Sequence, residues 1–353
     1  MTSIRLQHIT RRFGSTLALD DIDLQIVPGE LLFLLGPSGC GKSTLLRIIA
    51  GLLEPTTGRI FFNDRDVTDL GTEQRSAVMC FQNYALWPHM TVRENVAFGL
   101  SLGRGPTNGR DQRVNHFLRL VQLDRYADRK PNSLSGGQQQ RAALARAMAV
   151  EPKCLLLDEP LSNLDAKLRL EMRGEIRRIC KSGDFTTIYV THDQKEALSI
   201  ADRIVLLKDG RIVQVGEPTE LYYHPRTSFV ADFVGQTNLL KGEITRENLG
   251  GIAVQTPIGM LRTATTPGGF SQSVTVSIRP EKIRILSPNS PQSPEANRLT
   301  AKLVETTFLG EASEHVLEIG EHRLRAGSSP PLLNLRGEVA LEIDPGDCLV
   351  LPE

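Results

Sequence analysis

Residues 1 to about 240 alternate short runs of leucine and β-branched residues with segments of helical composition. This alternation predicts a mixed α/β fold in which helices cover a sheet. Residues 31–35 predict a buried strand that runs into a glycine-rich turn, and residues 42–53 predict the helix that follows it. Residues 88–150 predict a mainly helical subdomain that contains a loop at 103–110.

The pattern changes after residue 240. From 241 to 353, apolar and polar positions alternate over short stretches broken by Gly, Pro and Asn, which predicts an all-β domain of short strands. Residues 274–286 and 339–351 share valine, isoleucine, proline and leucine in register. This domain therefore contains either two similar β units or a chance similarity between strand sequences. We divide the chain into domains at 1–240 and 241–353.

The composition narrows the possible functions. The 41 basic and 41 acidic side chains cancel, which argues against bulk binding of DNA or RNA. No apolar run reaches the roughly 18 residues of a membrane-spanning helix, and the N-terminus lacks the apolar region of a signal peptide. Any action at a membrane is therefore expected to go through a partner. The five cysteines lie far apart in the sequence, at Cys40, Cys80, Cys154, Cys180 and Cys348. Such scattered thiols fit a reducing cytosol better than a disulfide framework.

The segment GPSGCGKST at residues 36–44 matches the phosphate-binding pattern G-x-x-x-x-G-K-[ST]. Its glycines let the backbone curl so that consecutive N–H groups face phosphate oxygens, and the following helix N-terminus adds positive potential. We expect Lys42 to neutralise the β and γ phosphates of ATP and Ser43 to bind Mg²⁺. A glycine turn with a chance Lys-Ser pair is the alternative. The other residues expected at the nucleotide are Gly36, Ser38, Gly39, Cys40, Gly41 and Thr44.

The thiol of Cys40 lies inside this P-loop, between two glycines. Backbone N–H groups and Lys42 create positive potential there, which favours the reactive thiolate. We therefore expect a thiol that is accessible in the absence of ATP and shielded in its presence. The alternative is a small residue that the loop tolerates, with its sulfur pointing into the core.

Two acidic residues end the next strongly apolar segment, residues 154–157. Carboxylates are costly inside a core, so their place at the end of a predicted strand indicates a metal or water site. We expect Asp158 to hold Mg²⁺ and Glu159 to act as the general base on the attacking water. Taken alone, the pair is equally compatible with a solvated strand-to-loop junction.

The segment LSGGQ at residues 134–138 precedes a long predicted helix. Ser135 is placed to cap that helix, and Gly136 and Gly137 leave backbone N–H groups free to face an anion. A capping turn needs only the serine, so the extra glycines indicate a second phosphate-binding element. LSGGQ is the signature of the ATP-binding cassette (ABC) ATPases, and residues 1–240 resemble that family.

The resemblance implies roles for residues in four further motifs. Phe13 matches the aromatic residue that stacks on adenine, and the Q-loop residue Gln82 matches one that reaches Mg²⁺ and the attacking water. Asp165 lies in the D-loop, and His192 matches the switch histidine that donates to the γ phosphate. In the family, the signature of one subunit closes on ATP held by another subunit. The resemblance thus implies a dimer with a second copy of the chain. In this dimer, residues Ser135, Gly136, Gly137 and Gln138 of one copy complete the nucleotide site of the other copy.

The C-terminal region resembles the OB-like (TOBE) extension of importer-type members, through SIRPEK at residues 277–282 and the join at 229–235. The predicted fold class is therefore an α/β P-loop nucleotide-binding domain of the ABC type with a helical subdomain, followed by an all-β OB-like domain. The resemblance implies an ATPase subunit, peripheral at the cytoplasmic face of the inner membrane, that drives solute uptake. Its implied partners are integral membrane permease subunits and, indirectly, a solute-binding protein, with no nucleic acid.

Two segments bear on the cargo and the membrane partner. Sugar-type members usually read Gly-Ser-Pro-x-Met-Asn after the join, whereas residues 235–240 read GQTNLL. This is closer to the polyamine, ferric-iron and phosphonate branch. Trp87 stands where Tyr or Phe is commoner in the family. This difference does not affect the residues expected to hydrolyse ATP, but it leaves open which membrane partner the chain fits.

Two other functions stay open. A cytosolic ATPase that acts on DNA or ribosomes would carry a long coiled coil between P-loop and signature, or two cassettes, and this sequence has neither. The β domain could also be a regulatory binding module, because OB-like units bind oligonucleotides and small ligands. Its aromatic residues are only Phe270 and Phe308, too few for a stacking platform, so we interpret it as support for a dimer.

Overall fold

A computed structural model describes residues 1–101, 109–183, 185–246, 252–263, 272–288, 290–291 and 293–352. These residues form two compact units, Met1–Thr219 and Glu220–Glu353. Most of the loop predicted at 103–110 lies outside the described residues, as does Phe270.

The strands of the first unit are, in chain order, β1 (Ile4–Phe13), β2 (Thr16–Ile26), β3 (Leu31–Leu35), β4 (Thr57–Phe62), β5 (Arg65–Asp66), β6 (Ala77–Cys80), β7 (Cys154–Asp158), β8 (Thr186–Val190), β9 (Arg203–Lys208) and β10 (Arg211–Gly216). Its helices are α1 (Lys42–Ala50), α2 (Thr72–Arg75), α3 (Val92–Ser101), α4 (Arg110–Leu120), α5 (Gly136–Ala149), α6 (Ala166–Ser182) and α7 (Gln194–Ile200).

A six-stranded sheet in the order β10-β9-β3-β8-β7-β6 forms the centre of this unit. Its strands run parallel except for β10, which pairs antiparallel with β9. All five residues of β3, β7 and β8 are buried, as expected for parallel strands that are covered on both faces. A second, antiparallel sheet has the order β2-β1-β4-β5.

Between β6 and β7 the chain forms helices α3, α4 and α5, which pack on one another. Helix α5 buries all five of its alanines, so small side chains let its neighbours approach closely. Within the described ranges, no helix has the length and apolar character needed to cross a membrane.

Arg75, the last residue of α2, closes the C-terminus of α1. Its side chain is 3% exposed, and its guanidinium donates to the carbonyl oxygens of Ile48 at 2.6 Å, Thr68 at 2.7 Å and Leu70 at 2.8 Å. Gly51 makes room for it, because a Cβ at this position would lie 2.7 Å from Arg75 Nε. A buried cation thus satisfies a terminal carbonyl group of the helix that follows the P-loop.

Replacing Arg75 by methionine should lower the free energy of unfolding by about 3 kcal/mol, because buried carbonyl groups would lose a charged donor. Urea denaturation measures the change. Arg75→Lys keeps the charge and a donor, so it should lose less stability than Arg75→Met. Equal losses in the two variants would show that the hydrogen bonds contribute nothing beyond the packing of the side-chain stem.

After β10 come two short helices, α8 (Pro218–Tyr223) and α9 (Ser228–Phe233). The strands of the second unit are β11 (Asn238–Arg246), β12 (Ile252–Thr256), β13 (Gly259–Thr263), β14 (Ser273–Ile278), β15 (Ile283–Leu286), β16 (Asn297–Phe308), β17 (Ser313–Ile319), β18 (His322–Ser328), β19 (Glu338–Ile343) and β20 (Leu349–Pro352). They form two antiparallel sheets with the orders β13-β12-β11-β14-β20 and β15-β19-β16-β17-β18.

The two similar segments of the second unit adopt the same local structure. Each forms a strand, a 3₁₀ turn that starts at a proline, and a second strand; the turns are Pro280–Lys282 and Pro345–Asp347. The segments pair crosswise, β14 with β20 in one sheet and β15 with β19 in the other. The two segments therefore share local structure as well as sequence, and the division into two β units stays a prediction.

The segment 220–240 belongs to the second unit, whereas the change in composition places the domain boundary after residue 240. Arg279 is buried and donates to the carbonyl oxygens of Ala231 at 2.8 Å, Tyr222 at 3.0 Å and Gly235 at 3.0 Å. Its guanidinium also lies 4.1 Å from the centre of the Tyr222 ring. One arginine therefore joins helical sequence to a β unit, a connection that composition does not reveal. The predicted fold class, an α/β unit followed by a β-rich unit, is confirmed.

Candidate active site

The carboxyl ends of β3, β6, β7 and β8 meet at one edge of the six-stranded sheet. The P-loop follows β3, Gln82 follows β6, Asp158 ends β7, and His192 lies two residues after β8. Ligands of open α/β sheets bind at this edge. It contains a cleft of about 290 Å³ lined by Ser38, Gly39, Gly41, Lys42, Ser43, Thr44, Glu159 and His192.

The P-loop requires glycine at two positions. A Cβ on Gly36, whose φ is +149°, would lie 2.2 Å from the carbonyl oxygen of Leu207. A Cβ on Gly41, whose φ is +104°, would lie 2.6 Å from the carbonyl oxygen of Ala18. Gly41 caps α1 without a side chain, so the first N–H groups of the helix remain free to bind phosphate. Lys42 Nζ lies at the same loop and donates to the carbonyl oxygen of Gly36 at 2.8 Å.

Ser43 and Asp158 form the part of the site that suits a divalent cation. Ser43 Oγ donates to Asp158 Oδ1 at 3.1 Å. Burial raises the pKa of the Asp158 carboxyl, while the Ser43 hydrogen bond and the charges of Arg47 and Lys42 oppose this rise. A buried carboxylate beside a hydroxyl oxygen is a donor pair that fits Mg²⁺, which prefers hard oxygen ligands.

Glu159 lies at the centre of the cluster beside the P-loop. Its Oε1 is 3.2 Å from His192 Nδ1, and its Oε2 accepts a hydrogen bond from Gln82 Nε2 at 3.4 Å. The backbone of Glu159 is left-handed, with φ +47°, and its N–H donates to the carbonyl oxygen of Val190 at 2.9 Å. Such a conformation is uncommon for a residue other than glycine and is typical of functional sites. The structure thus brings together three residues that are far apart in the sequence.

The signature segment begins α5. Ser135 Oγ accepts from the Gln138 backbone N–H at 3.4 Å, and the Ser135 N–H donates to Gln138 Oε1 at 3.0 Å, so the predicted cap is confirmed as a reciprocal capping box. The glycines also have a packing reason within the chain. A Cβ on Gly137 would lie 2.9 Å from Leu168 Cδ2, and one on Gly136 would lie 3.1 Å from a Leu164 methyl carbon.

Comparison with known proteins identifies the chain. Residues 19–162 match the family model of the ABC transporter, and residues 276–351 match that of the TOBE domain. The spermidine/putrescine import ATP-binding protein PotA of Marinobacter nauticus is 45% identical over 323 residues, which cover 90% of this chain and 85% of that protein. The chain belongs to the ABC transporter family. It is an ABC ATPase of the importer type with a TOBE domain, and it binds and hydrolyses ATP.

Further relatives and solved structures agree with this assignment. The Fe(3+) ions import ATP-binding protein FbpC 1 of Pectobacterium atrosepticum is 44% identical over 313 residues, covering 88% of this chain and 85% of that protein. A dimeric ATP-binding cassette in a post-hydrolysis state with ADP and Pi superposes with a TM-score of 0.54 and 35% identity, over 61% of this ABC ATPase and 98% of that chain. A nucleotide-free cassette from an ABC transporter gives a TM-score of 0.55 and 27% identity, over 62% and 92% of the two chains.

Phe13 and Asp165 are among the predicted site residues that do not line the cleft of this ABC ATPase. Phe13 ends β1 and is exposed, with the Arg11 guanidinium 4.6 Å from the centre of its ring. The guanidinium covers one face of the ring, and the remaining exposed surface is what Phe13 offers for stacking on a planar group. Asp165 caps α6, and its Oδ1 accepts from the Leu168 N–H at 2.9 Å. The structure thus gives Asp165 a local role as the N-cap of α6.

The expectation of an accessible Cys40 thiol is wrong for this conformation of the ABC ATPase. The Cys40 side chain is 4% exposed and packs in the core cluster of the first unit. Its Sγ lies 3.7 Å from Lys42 Nζ and would be 2.6 Å from a Cβ on Gly36. The sulfur therefore points into the core because Gly36 leaves space for it, while the Cys40 backbone remains part of the P-loop.

Sequence analysis missed a polar cluster beneath the switch histidine. Thr191 and Glu196 are buried side chains that bond to each other. The available signal is Asp193, which caps α7 and stands three residues before Glu196, a spacing typical of helix N-termini. The same aspartate accepts from Arg173 at 2.9 Å.

Proposed function

We propose that the chain binds ATP with Mg²⁺ at its P-loop, forms an ATP-closed dimer with a second copy, and drives solute uptake through integral membrane permease subunits. The observation that carries this proposal is the convergence of Glu159, His192 and Gln82 beside the P-loop cleft. The relatives PotA and FbpC 1, which are named as import ATP-binding proteins, support the coupling to uptake.

Each residue at the cleft has a chemical role in this proposal. Lys42 and the P-loop N–H groups neutralise the β and γ phosphates, and Ser43 and Asp158 hold Mg²⁺, which would supply charge stabilisation at the transferred phosphoryl group. Glu159 takes a proton from the attacking water. His192 and Gln82 keep the Glu159 carboxylate oriented, since each contacts one of its oxygens. The P-loop residues Gly36, Ser38, Gly39, Cys40, Gly41 and Thr44 contribute to phosphate binding, and Phe13 stacks on adenine.

The second copy completes each nucleotide site. The exposed Ser135 hydroxyl and the N–H groups of Gly136 and Gly137 form a helix N-terminus that suits the γ phosphate of ATP bound by the other chain, while Gln138 holds Ser135 through the capping box. Asp165 contributes at the same interface. The dimeric form of a solved cassette that is 35% identical over most of its own length supports this arrangement.

A groove next to the Q-loop is the proposed docking site for a permease subunit. Phe81 and Trp87 are 41% and 42% exposed there, and Phe98, Ala147 and Val150 line the same groove of about 320 Å³. Exposed aromatic side chains over an apolar groove are typical of a surface that receives a helix. The permease would place the chain peripherally at the cytoplasmic face of the inner membrane, with a solute-binding protein as an indirect partner.

The proposed cargo is a polyamine, ferric iron or a phosphonate, rather than a sugar. Residues 235–240 favour this branch of the importers. The relatives named for spermidine/putrescine and for Fe(3+) ions, 45% and 44% identical, support the first two choices.

The test is to isolate the chain with the membrane proteins that accompany it and to reconstitute the complex in vesicles with candidate binding proteins. We expect ATP-dependent uptake of labelled spermidine, Fe³⁺ or a phosphonate, and no uptake with Lys42→Ala. Trp87→Asp should abolish recruitment to the complex because a charge would enter the apolar groove, whereas Trp87→Phe should retain it. A chain that hydrolyses ATP but associates with ribosomes or DNA instead of membrane subunits would contradict the proposal.

A further inference from the structure

A buried carboxylate lies beneath the switch loop, residues 191–193 between β8 and α7, and none of the roles proposed above uses it. Glu196, on α7, is 3% exposed. Its Oε2 accepts hydrogen bonds from Thr191 Oγ1 at 2.7 Å and from Tyr189 Oη at 3.2 Å. Burial of a carboxylate is costly unless such bonds offset its lost hydration, so the group is held in place by two donors that meet at one oxygen.

The same hydrogen bonds reach both chain neighbours of His192. Thr191, which precedes the histidine, donates to Glu196 and accepts at the same hydroxyl from the Asp193 N–H at 3.0 Å. The Asp193 side chain in turn caps α7 by accepting from the Glu196 N–H at 3.3 Å. The backbone before and after His192 is therefore tied to a single carboxylate through one threonine hydroxyl.

His192 depends on its backbone for its position. Its side chain is 65% exposed, yet its Nδ1 lies 3.2 Å from Glu159 Oε1. A ring with so much solvent around it receives little orientation from packing. The backbone position that Thr191 and Asp193 fix therefore determines how close the His192 imidazole comes to Glu159.

The carboxylate is also linked to the strand that carries the P-loop. Tyr189, its second donor, is fully buried and stacks on Phe33 with ring centroids 4.2 Å apart and an interplanar angle of 14°. Phe33 lies in β3 directly opposite Tyr189 in β8, and β3 runs into the P-loop. The stacked pair of Tyr189 and Phe33 thus connects the Glu196 carboxylate under the switch loop to the strand that leads into the phosphate-binding loop.

We propose that Glu196 is a positioning residue for ATP hydrolysis: through Thr191 it fixes the backbone on both sides of His192 and so the distance between His192 and Glu159. The inference rests on the proposed role of His192 in hydrolysis. Charged groups near this carboxylate are Asp193 and Arg173, and burial raises its pKa, while the Thr191 bond opposes the rise.

The first test compares two replacements of similar size. Glu196→Gln keeps an oxygen that can accept from both hydroxyl groups, whereas Glu196→Leu keeps the volume and accepts nothing. We expect kcat for ATP hydrolysis to fall about 10- to 100-fold in the leucine variant, with little change in KM for ATP, and to stay within a few-fold of the parent in the glutamine variant. Loss of kcat to the same extent in both variants would overturn the proposal.

The second test separates positioning from a general structural role. Glu196→Leu is combined with His192→Ala, and single-turnover hydrolysis is measured for the parent, both single variants and the double variant. If Glu196 acts through His192, its replacement has no further effect once the imidazole is gone. The same fold-loss in both backgrounds would overturn the inference. An unchanged rate for His192→Ala alone would instead remove the proposed role of His192, and with it the inference.

The threonine provides the same comparison if the leucine variant does not fold. Thr191→Ser keeps the hydroxyl that joins Glu196 to the Asp193 N–H, and Thr191→Val removes it at nearly constant volume. The serine variant should retain kcat and the valine variant should lose it by about 10-fold or more. Equal activity of the two variants would contradict the connection through Thr191.

Discussion

Replacing Glu159 by glutamine should lower kcat for ATP hydrolysis about 10²- to 10⁴-fold and leave ATP binding intact. Glutamine keeps the size and the polarity of the side chain, so the contacts with Gln82 and His192 remain possible. An amide cannot accept the proton of the attacking water, so the reaction stops after ATP has bound. The ATP-bound dimer should then accumulate.

Steady-state hydrolysis and light scattering in the presence of ATP and Mg²⁺ measure both effects. Asp158→Asn is the informative comparison, because its carboxylate bonds to Ser43 Oγ rather than to His192 or Gln82. Raising the Mg²⁺ concentration should partly restore the Asp158 variant and should not restore Glu159→Gln. A glutamine variant that stays monomeric with ATP, or hydrolyses it at the parent rate, would refute the assignment of Glu159.

Replacing Ser135 by aspartate should reduce turnover about 10²-fold, because a carboxylate within roughly 5 Å of the γ phosphate repels it by about 3 kcal/mol at an effective dielectric constant near 20. Helix α5 itself should tolerate the change. Aspartate is as good an N-cap as serine, and its charge is favourable at a helix N-terminus. ATP affinity of the isolated chain should be unchanged, since Ser135 is expected to serve the nucleotide bound by the second copy.

Ser135→Asn is the matched control, because it caps the helix without a charge and should retain most of the turnover. Gly137 is less suitable for this experiment, since any side chain there would meet Leu168 and test packing instead of electrostatics. Nucleotide binding is measured at concentrations where the chain is monomeric, and closure is followed by the mass of the ATP-bound species. If the aspartate variant loses ATP affinity in the monomer as well as turnover, Ser135 contacts the nucleotide of its own chain. This result would contradict a nucleotide site built from two chains.

Much of this fold and site can be read from local sequence. The P-loop is predictable because Gly36 and Gly41 adopt backbone conformations that side chains would obstruct, and such positions leave a fixed spacing in the sequence. The Ser135 cap is equally local, since a reciprocal pair of hydrogen bonds to Gln138 spans only three residues. The buried strands β3 and β7 appear as short apolar runs that end in a glycine turn and in acidic residues.

Other features depend on which distant segments become neighbours. The stack of Tyr189 on Phe33, which links the Glu196 carboxylate to β3, exists because the parallel register places the two residues opposite each other. Arg75, on α2, donates to a carbonyl oxygen at the C-terminus of α1. Gly137 is glycine because a side chain there would collide with Leu168 of α6. The inward direction of the Cys40 sulfur depends on the space above Gly36.

The sequence by itself therefore determined the family and the fold class, and it marked the candidate site residues of the short motifs, because the backbone geometry of these motifs is encoded within a few positions. The tertiary structure decided that Arg279 attaches residues 220–240 to the second unit, that the Cys40 thiol is buried, and that Tyr189 stacks on Phe33. Each of these depends on hydrogen bonds or packing between elements whose relative placement follows from sheet order and register. No local pattern of residue types specifies that placement.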